Sequence, residues 1–198
     1  MTASNFSTYI ERNARFAATD AKDHVPEIPF IPSKQLYLIT CIDPRVDPAA
    51  TVGSELGEAI VARNVGGRVT PPLVKDLLWI LHLHENLTPD ADWFEIAVIH
   101  HTDCGSALLA RDDLRAGYVA RGGWDDESAL GMAVVDPAKT AAEDVQKLRS
   151  APELQPTIGN VKIGGYVYDL KTGKITTVVE PGRGRPNANR PDPEKAGS

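Results

Sequence analysis

Apolar residues along this chain follow two patterns that alternate. Four runs have the length and the β-branched or aromatic composition of strands, and they are residues 35–42, 59–63, 93–101 and 161–168. Between the runs, apolar residues recur every three or four positions, which is helical spacing. The clearest helical row follows the candidate N-cap Thr70 and contains Leu73, Leu77, Ile80 and Leu81. Strands that alternate with helices predict an α/β fold in which a mostly parallel sheet of four strands has helices on both faces.

The N-terminal residues predict a helical arm. Residues 4–19 have helical spacing, with Ser4 as a candidate N-cap and an apolar stripe that includes Ile10. Three prolines in residues 25–32 favour an extended connector between this helix and the first strand. We therefore expect residues 1–32 to form an arm and linker, and such an arm can lie on a second subunit.

The C-terminal residues predict a hairpin followed by a tail. The sequence ending at Gly173 is a turn, so residues 174–179 should add an antiparallel C-terminal edge strand to the sheet. Residues 181–198 contain almost no apolar side chain, which predicts a disordered tail. These boundaries predict a single domain over residues 1–180.

Composition and charge narrow the possible partners. The 198 residues, of which 42% are hydrophobic, are enough for one substantial core. Binding to nucleic acid or to an anionic membrane needs a basic face, and the formal net charge of -6 argues against one. No stretch approaches the roughly 18 apolar residues of a membrane span, and the N-terminus lacks a targeting pattern. We therefore expect a soluble cytoplasmic protein that binds neither nucleic acid nor membrane.

Both cysteines of the chain stand at predicted strand ends beside other reactive side chains. The first strand leads into Cys41-Ile-Asp43-Pro-Arg45, and the third leads into His101-Thr-Asp-Cys104. If the first strand lies between the second and third, these stretches meet above the carboxyl ends of the sheet. Zinc binds thiolate and imidazole tetrahedrally, and three protein ligands leave one position for water or substrate. Cys41, His101 and Cys104 therefore predict a catalytic Zn²⁺ site, with two buried structural thiols as the alternative.

The local context assigns further roles to these stretches. Cys104 should begin a helix, whose free amides would stabilise its thiolate. Asp43 could serve as a fourth ligand that closes the site, or it could pair with Arg45 and accept a hydrogen bond from zinc-bound water. The planar guanidinium of Arg45 favours the second role. A surface ion pair of little consequence is the remaining possibility.

Three stretches of the chain resemble the signatures of the β-class carbonic anhydrases. They are Cys41-x-Asp43-x-Arg45, Ala62-Arg-Asn-Val-Gly-Gly67 and His101-Thr-Asp-Cys104-Gly105, in that order. The resemblance extends from the helical arm to the C-terminal hairpin. It implies Zn²⁺ on Cys41, His101 and Cys104, a catalytic dyad of Asp43 and Arg45, and a homodimer or homotetramer assembled through the arm.

The resemblance also implies the reaction and leaves its substrate open. Zinc-bound hydroxide would attack a small linear gas, most simply carbon dioxide in its reversible hydration to bicarbonate. Plant-type members have a glutamine nine residues before the first cysteine, where this chain has Pro32. Members that hydrolyse carbonyl sulfide or carbon disulfide resemble this chain at Pro32-Ser33 and in the doubled His100-His101. Such a hydrolase is the alternative, and a non-catalytic protein braced by zinc is a further one.

Two neighbouring polar residues receive no catalytic role. His100 is adjacent to His101 on a strand, so its side chain should face the other way and pack or hydrogen-bond under a helix. Asp103 is expected only to hydrogen-bond locally at the start of a helix.

Overall fold

One five-stranded sheet organises the computed structural model, which describes residues 4–155, 157 and 159–183. The strands are β1 (Leu36–Cys41), β2 (Ala59–Asn64), β3 (Glu95–His101), β4 (Lys162–Asp169) and β5 (Lys174–Arg183). Their order is β2-β1-β3-β4-β5, with β1 to β4 parallel and β5 antiparallel to β4. This confirms the predicted sheet, including the position of β1 between β2 and β3.

The helices connect the strands and fill the segment between β3 and β4. Among the described residues they are α1 (Ser7–Ala17), α2 (Ala21–His24), α3 (Pro48–Thr51), α4 (Pro71–Leu87), α5 (Asp112–Ala120), α6 (Asp126–Gly131) and α7 (Pro137–Ser150). The predicted cap of α4 is present, because the Thr70 side chain accepts from the Leu73 N–H. At the start of α7 the Asp136 carboxylate accepts from the Ala138 and Lys139 N–H groups. Sequence analysis did not predict α5 and α6, which have only nine and six residues. Within the described residues, no helix combines the length and hydropathy of a membrane span.

The main core lies on one face of the sheet. Both of the longest helices, α4 with 17 residues and α7 with 14, pack there. Leu77 and Leu148 from these helices are fully buried against Ile39 and Val98 of the central strands. A smaller cluster on the opposite face contains Leu38, Ala97 and Ile99, and it packs against Leu36, Ala59, Tyr166 and Tyr168. The apolar strands predicted helices on both faces of the sheet. The two longest helices, α4 and α7, lie on the same face.

The N-terminal arm is present but differs in detail from the prediction. Its helix begins at Ser7, so Phe6 and not Ser4 occupies the cap position. Ser4 Oγ accepts a hydrogen bond from the Phe6 N–H, just before the helix. The connector is not wholly extended, because a 3₁₀ turn at Val25–Glu27 lies within it, directly after α2. Proline is tolerated there because it stands at the first turn, where its missing N–H costs nothing. Helix α1 buries none of its residues.

The C-terminal strand is longer than predicted. It reaches Arg183, so residues 181–183 belong to the sheet and not to a tail. The extension pairs Gly182 with Ile163 and Arg183 with Lys162. Backbone pairing on an edge strand does not require apolar side chains, and hydropathy therefore did not reveal it. The rest of the predicted tail, residues 184–198, lies outside the described residues.

A buried ion pair joins α7 to the loop after β2. The Asp144 carboxylate is fully buried, and its Oδ2 lies 2.8 Å from Nε of the buried Arg68. Oδ1 accepts from Arg68 Nη2 at 3.1 Å and Oδ2 accepts from the Val69 N–H at 3.0 Å. Lys147 Nζ donates to Oδ1 at 2.8 Å. Asp144 therefore holds the loop that leads from β2 into α4.

Replacing Asp144 should destabilise the fold strongly. Asp144→Ala leaves the buried Arg68 charge with only the more distant Glu143 carboxylate, at 3.6 Å, and we expect the free energy of unfolding to fall by about 3–5 kcal/mol in urea denaturation. Asp144→Asn separates loss of charge from loss of volume. Asp113→Ala removes the exposed partner of Arg111 and should cost less than about 1 kcal/mol. A cost for Asp144→Ala as small as that of the Asp113 control would contradict this assignment.

The contribution of Asp144 to the free energy of unfolding should depend on pH. Burial acts to raise the pKa of Asp144, but the hydrogen bond with His100 and the charges of Arg68 and Lys147 prevail and lower it to about 2. The folded pKa thus lies below the unfolded value of about 3.9. The stabilisation from Asp144 is complete above the unfolded pKa and is lost as pH falls towards 2. The difference in the free energy of unfolding between the wild type and Asp144→Ala should therefore shrink over that pH range.

Candidate metal centre

Three candidate metal ligands meet where β1 and β3 end. These neighbouring parallel strands bring Cys41 and His101 to the same edge of the sheet, and Cys104 follows one turn after β3. All three side chains are buried, and their ligand atoms lie within 4.8 Å of one another. The two sulfur atoms are 3.8 Å apart, too far for a disulfide. The site occupies the point where the chain leaves β1 for β2 on one side and returns to β3 on the other.

The donor atoms fit a tetrahedral metal ion. His101 Nδ1 lies 2.9 Å from the Thr102 carbonyl oxygen, which holds the proton on that nitrogen. Its Nε2 is buried and has no hydrogen-bond partner among the described residues. Two thiolates at Zn–S distances of about 2.3 Å in tetrahedral geometry would be separated by about 3.8 Å, which is the observed sulfur separation. The cluster could therefore hold a metal that accepts thiolate and imidazole.

The two thiols are strongly coupled. A hydrogen bond from Cys41 to the Cys104 sulfur lowers the pKa of Cys104 to about 6, and the hydroxyl of Ser106 adds to this shift. The same contact with Cys104, together with burial, raises the pKa of Cys41 to about 12. The pair therefore loses its first proton readily and its second with difficulty. A cation bound by both sulfurs would replace the second proton.

Cys104 stands at the start of a helix, as predicted, but this helix is a short 3₁₀ helix and not an α-helix. The next segment, Gly105–Ala110, is a 3₁₀ helix of six residues. The backbone is extended again at Arg111, immediately before α5, which leaves room only for two tight turns. The Cys104 sulfur lies 3.2 Å from the hydroxyl oxygen of Ser106. After the larger effect of Cys41, the Ser106 backbone N–H also contributes to lowering the pKa of Cys104, as the prediction of a stabilising amide requires.

Asp43 and Arg45 form a two-point ion pair beside the cluster. Arg45 Nε donates to Asp43 Oδ1 at 2.9 Å, and Nη2 donates to Oδ2 at 2.7 Å. The Arg45 N–H also donates to Oδ1, and Pro44 between them fixes this tight turn. The contact with Arg45 lowers the pKa of Asp43 to about 2, so the carboxylate is ionised at neutral pH. Both oxygens face Arg45 here, and a closed site with Asp43 as fourth ligand stays a prediction.

Sequence analysis missed the second partner of Arg45. Arg45 Nη1 donates to the Asp103 carboxylate at 2.8 Å, and Nη2 donates to the Asp103 carbonyl oxygen at 2.9 Å. Asp103 adopts a left-handed backbone with φ of 54°, which few residue types other than Asn and Asp tolerate. The two residues are 58 positions apart, so only the spacing of Asp103 next to Cys104 could have drawn attention to it.

The end of β2 and the loop after it hold this edge of the sheet in place. Arg63 Nε donates to the Cys41 carbonyl oxygen at 2.9 Å, and Nη2 donates to the Asp43 carbonyl oxygen at 2.7 Å. Gly67 has φ of +65°, and a Cβ there would lie 2.8 Å from the carbonyl carbon of Thr40. Glycine is therefore required for this close backbone approach.

His100 lies on the opposite face from His101, as expected. It is fully buried, and its Nδ1 lies 2.8 Å from the hydroxyl oxygen of Thr140 in α7. Its Nε2 lies 3.2 Å from the Gly67 carbonyl oxygen. His100 thus supports the Gly67 loop beneath a helix and does not reach the candidate metal centre.

A cavity of about 680 Å³ opens beside the cluster. Cys41, Asp43 and Ser106 contribute to its wall near the sulfur atoms. Much of the remaining wall is apolar and includes Leu109, Leu114, Tyr118, Trp124 and Met132. Helix α5, the 3₁₀ segment before it and the two residues that flank α6 thus line space that an uncharged molecule can occupy.

Known proteins share both the sequence and the fold. The family model described as carbonic anhydrase matches residues 36–124. The β-carbonic anhydrase 1 of Mycobacterium tuberculosis is 30% identical over 157 residues, covering 77% of this chain and 86% of that protein. A carbon disulfide hydrolase of an Acidianus strain is 24% identical over 192 residues, covering 85% of this chain and 88% of that protein.

A solved structure agrees with these matches. A carbonic anhydrase from Streptococcus mutans superposes with a TM-score of 0.69 at 27% identity, covering 90% of this chain and 99% of that chain. The family match spans β1 to β3 and includes the three clustered side chains. Because the similarity to the mycobacterial β-carbonic anhydrase extends over 86% of that protein at 30% identity, this chain belongs to the β-carbonic anhydrase family.

Proposed function

We propose that this protein is a zinc enzyme that catalyses the reversible hydration of carbon dioxide to bicarbonate. The observation that carries the proposal is the buried Cys41, His101 and Cys104 cluster beside an ionised Asp43, in a chain of this family. Cys41, His101 and Cys104 would hold the ion, and their two thiolates and one imidazole suit Zn²⁺. When bound, Zn²⁺ supplies a nucleophile at neutral pH by lowering the pKa of a water molecule.

The dyad would orient the nucleophile. The Asp43 side chain is only 11% exposed and stays ionised because Arg45 binds both of its oxygens. An ionised carboxylate can only accept hydrogen bonds, so Asp43 would accept one from the nucleophile and turn its lone pair towards the substrate. Arg45, held on its other side by Asp103, keeps the carboxylate in one orientation.

The cavity favours a small neutral substrate. Its apolar wall near Leu109 and Trp124 can accept carbon dioxide without removing hydration from a charge. The same wall disfavours an anionic product, which aids its release. A small gaseous substrate is therefore compatible with the space beside Cys41 and Asp43.

A second candidate is a hydrolase of carbonyl sulfide or carbon disulfide. The observation that favours it is the similarity to carbon disulfide hydrolases, one of which aligns with 85% of this chain. Pro32 at the position of the plant-type glutamine is also compatible with it. We place carbon dioxide first because the β-carbonic anhydrase relative is more similar, at 30% against 24% identity.

We also propose that the protein assembles as a homodimer or homotetramer through its arm. On α1 and its cap, the apolar side chains of Phe6, Tyr9 and Ile10 are 65%, 57% and 60% exposed. The Phe6 and Tyr9 rings stack at 5.6 Å, forming one apolar patch. A contiguous apolar patch on an arm is suited to a second copy of the chain.

We propose that the protein is located in the cytoplasm. Its free thiols suit a reducing compartment.

Assaying the candidate gases on one zinc-loaded preparation tests the substrate. We expect kcat/KM for carbon dioxide hydration, measured by stopped flow, to exceed that for hydrogen sulfide release from carbonyl sulfide or carbon disulfide. A higher value for either sulfur compound would favour the hydrolase. Turnover of none of them by a protein with one zinc per chain would support a non-catalytic role.

Two variants should separate metal binding from catalysis. Cys104→Ala removes a ligand, so we expect elemental analysis to find less than stoichiometric zinc and the assay to find no turnover. Asp43→Asn keeps the ligands and should retain zinc while kcat/KM falls about 10²-fold or more. Asp113→Asn alters an exposed Asp–Arg pair with the same two-residue spacing, and should leave both measurements unchanged. Full activity in Asp43→Asn would remove the proposed dyad.

A charge on the arm should break the assembly. Ile10→Asp places a carboxylate in the apolar patch, and we expect light scattering to show a smaller species, at the limit the 21.4 kDa monomer. Thr8→Asp introduces the same charge on the opposite side of α1 and should leave the mass unchanged. An unchanged mass for Ile10→Asp would show that the arm is not the interface.

A further inference from the structure

We propose that Ser106 is a positioning residue of the metal centre, whose hydroxyl donates to the Cys104 sulfur and limits the charge that this sulfur gives to the metal. The inference rests on the proposed zinc site. Ser106 lies two residues after Cys104 in the 3₁₀ segment Gly105–Ala110, and its side chain is buried. Its Oγ lies 3.2 Å from the Cys104 Sγ.

The direction of this hydrogen bond follows from the other partner of Ser106. The Val134 N–H donates to Ser106 Oγ at 3.2 Å, so the oxygen already acts as an acceptor. The hydroxyl has one proton, and the sulfur is placed to receive it. A thiolate bound to a metal has no proton of its own to donate. With metal bound, Ser106 must therefore be the donor and Cys104 the acceptor.

The surrounding structure keeps the hydroxyl in this position. Gly66 has φ of +75°, and a Cβ there would lie 2.9 Å from Ser106 Oγ. The absence of a side chain at Gly66 therefore leaves the space that the hydroxyl fills. Because Ser106 is only 7% exposed, water competes little for the bond.

Among the described residues, each sulfur has a hydrogen-bond donor from outside the three clustered side chains. The Asp43 backbone N–H donates to the Cys41 sulfur at 3.4 Å. Ser106 supplies the corresponding bond to Cys104. Substitution of Ser106 can remove its hydroxyl donor without altering the backbone. Ser106 is therefore the residue at which the effect of a hydrogen bond to a ligand sulfur can be tested.

The expected effect follows from the charge of the site. Two thiolates cancel the double positive charge of the ion, which weakens it as a Lewis acid. A hydrogen bond to one thiolate withdraws part of that negative charge and restores some of the acidity. Loss of an outer hydrogen-bond partner of a metal ligand commonly costs 10- to 100-fold in affinity or activity.

The test compares four variants after loading with Zn²⁺ or Co²⁺. Ser106→Ala removes the donor, and Ser106→Gly does so without leaving a methyl group. Ser106→Thr keeps the hydroxyl. Thr157→Val is the matched control, because it removes a buried hydroxyl bound to the Leu154 carbonyl oxygen in the segment after α7. The measurements are metal per chain, the sulfur-to-Co²⁺ charge-transfer band, and the pH profile of kcat/KM.

We expect Ser106→Ala and Ser106→Gly to bind one ion per chain with the charge-transfer band at longer wavelength, because the sulfur electrons are less stabilised. The pH of half-maximal kcat/KM should rise, and kcat/KM at neutral pH should fall about tenfold. Ser106→Thr and Thr157→Val should resemble the wild type in the band and the profile.

The outcomes distinguish this inference from the proposed function. An unchanged band and pH profile in Ser106→Ala and Ser106→Gly, with an active metal-loaded wild type, would overturn the role of Ser106 alone. An equal shift in Thr157→Val would also overturn it, because the effect would then be a general one. A wild-type protein that binds neither metal would overturn both the inference and the zinc site.

Discussion

Two buried thiolates can lie 3.8 Å apart only when positive charge is placed between them, and the structure at this edge of the sheet is built around that constraint. The contact between the two sulfurs lowers the pKa of Cys104 and, together with burial, raises the pKa of Cys41. The adjacent His101 nitrogen, buried and without a hydrogen bond in the described region, completes a set of donors for a metal ion.

A rigid framework maintains the close approach of these donors. Backbone pairing fixes β1 beside β3, and Gly67 allows the loop after β2 to lie against the backbone of β1. Asp144 ties that loop to α7 by binding Arg68 and the Val69 N–H. The buried ion pair thus contributes to the metal centre without touching it, because it fixes the loop that encloses one side of the site.

Charge is balanced outside the cluster by a second set of contacts. Arg45 lies between two carboxylates, Asp43 and Asp103, and donates to both. The arrangement keeps Asp43 ionised and directed at the guanidinium, next to a cavity whose remaining walls are largely apolar. A polar acceptor beside apolar walls suits a neutral linear substrate that becomes charged during reaction. Family membership agrees with this chemistry, because relatives of this chain include a β-carbonic anhydrase and a carbon disulfide hydrolase.

The sequence by itself determined the strands, the capped helices and the candidate ligands. Apolar runs report burial directly, and Cys41 and His101 stand at their ends. The contact of Arg45 with Asp103, the 3₁₀ turns after Cys104 and the last residues of β5 depended on tertiary structure. The first arises from hydrogen bonds between polar groups distant in sequence, the second from short local backbone turns and the third from backbone pairing at an edge, and none of these leaves a hydrophobic pattern. Local patterning therefore located the chemistry, and only the folded chain decided how its charges are oriented.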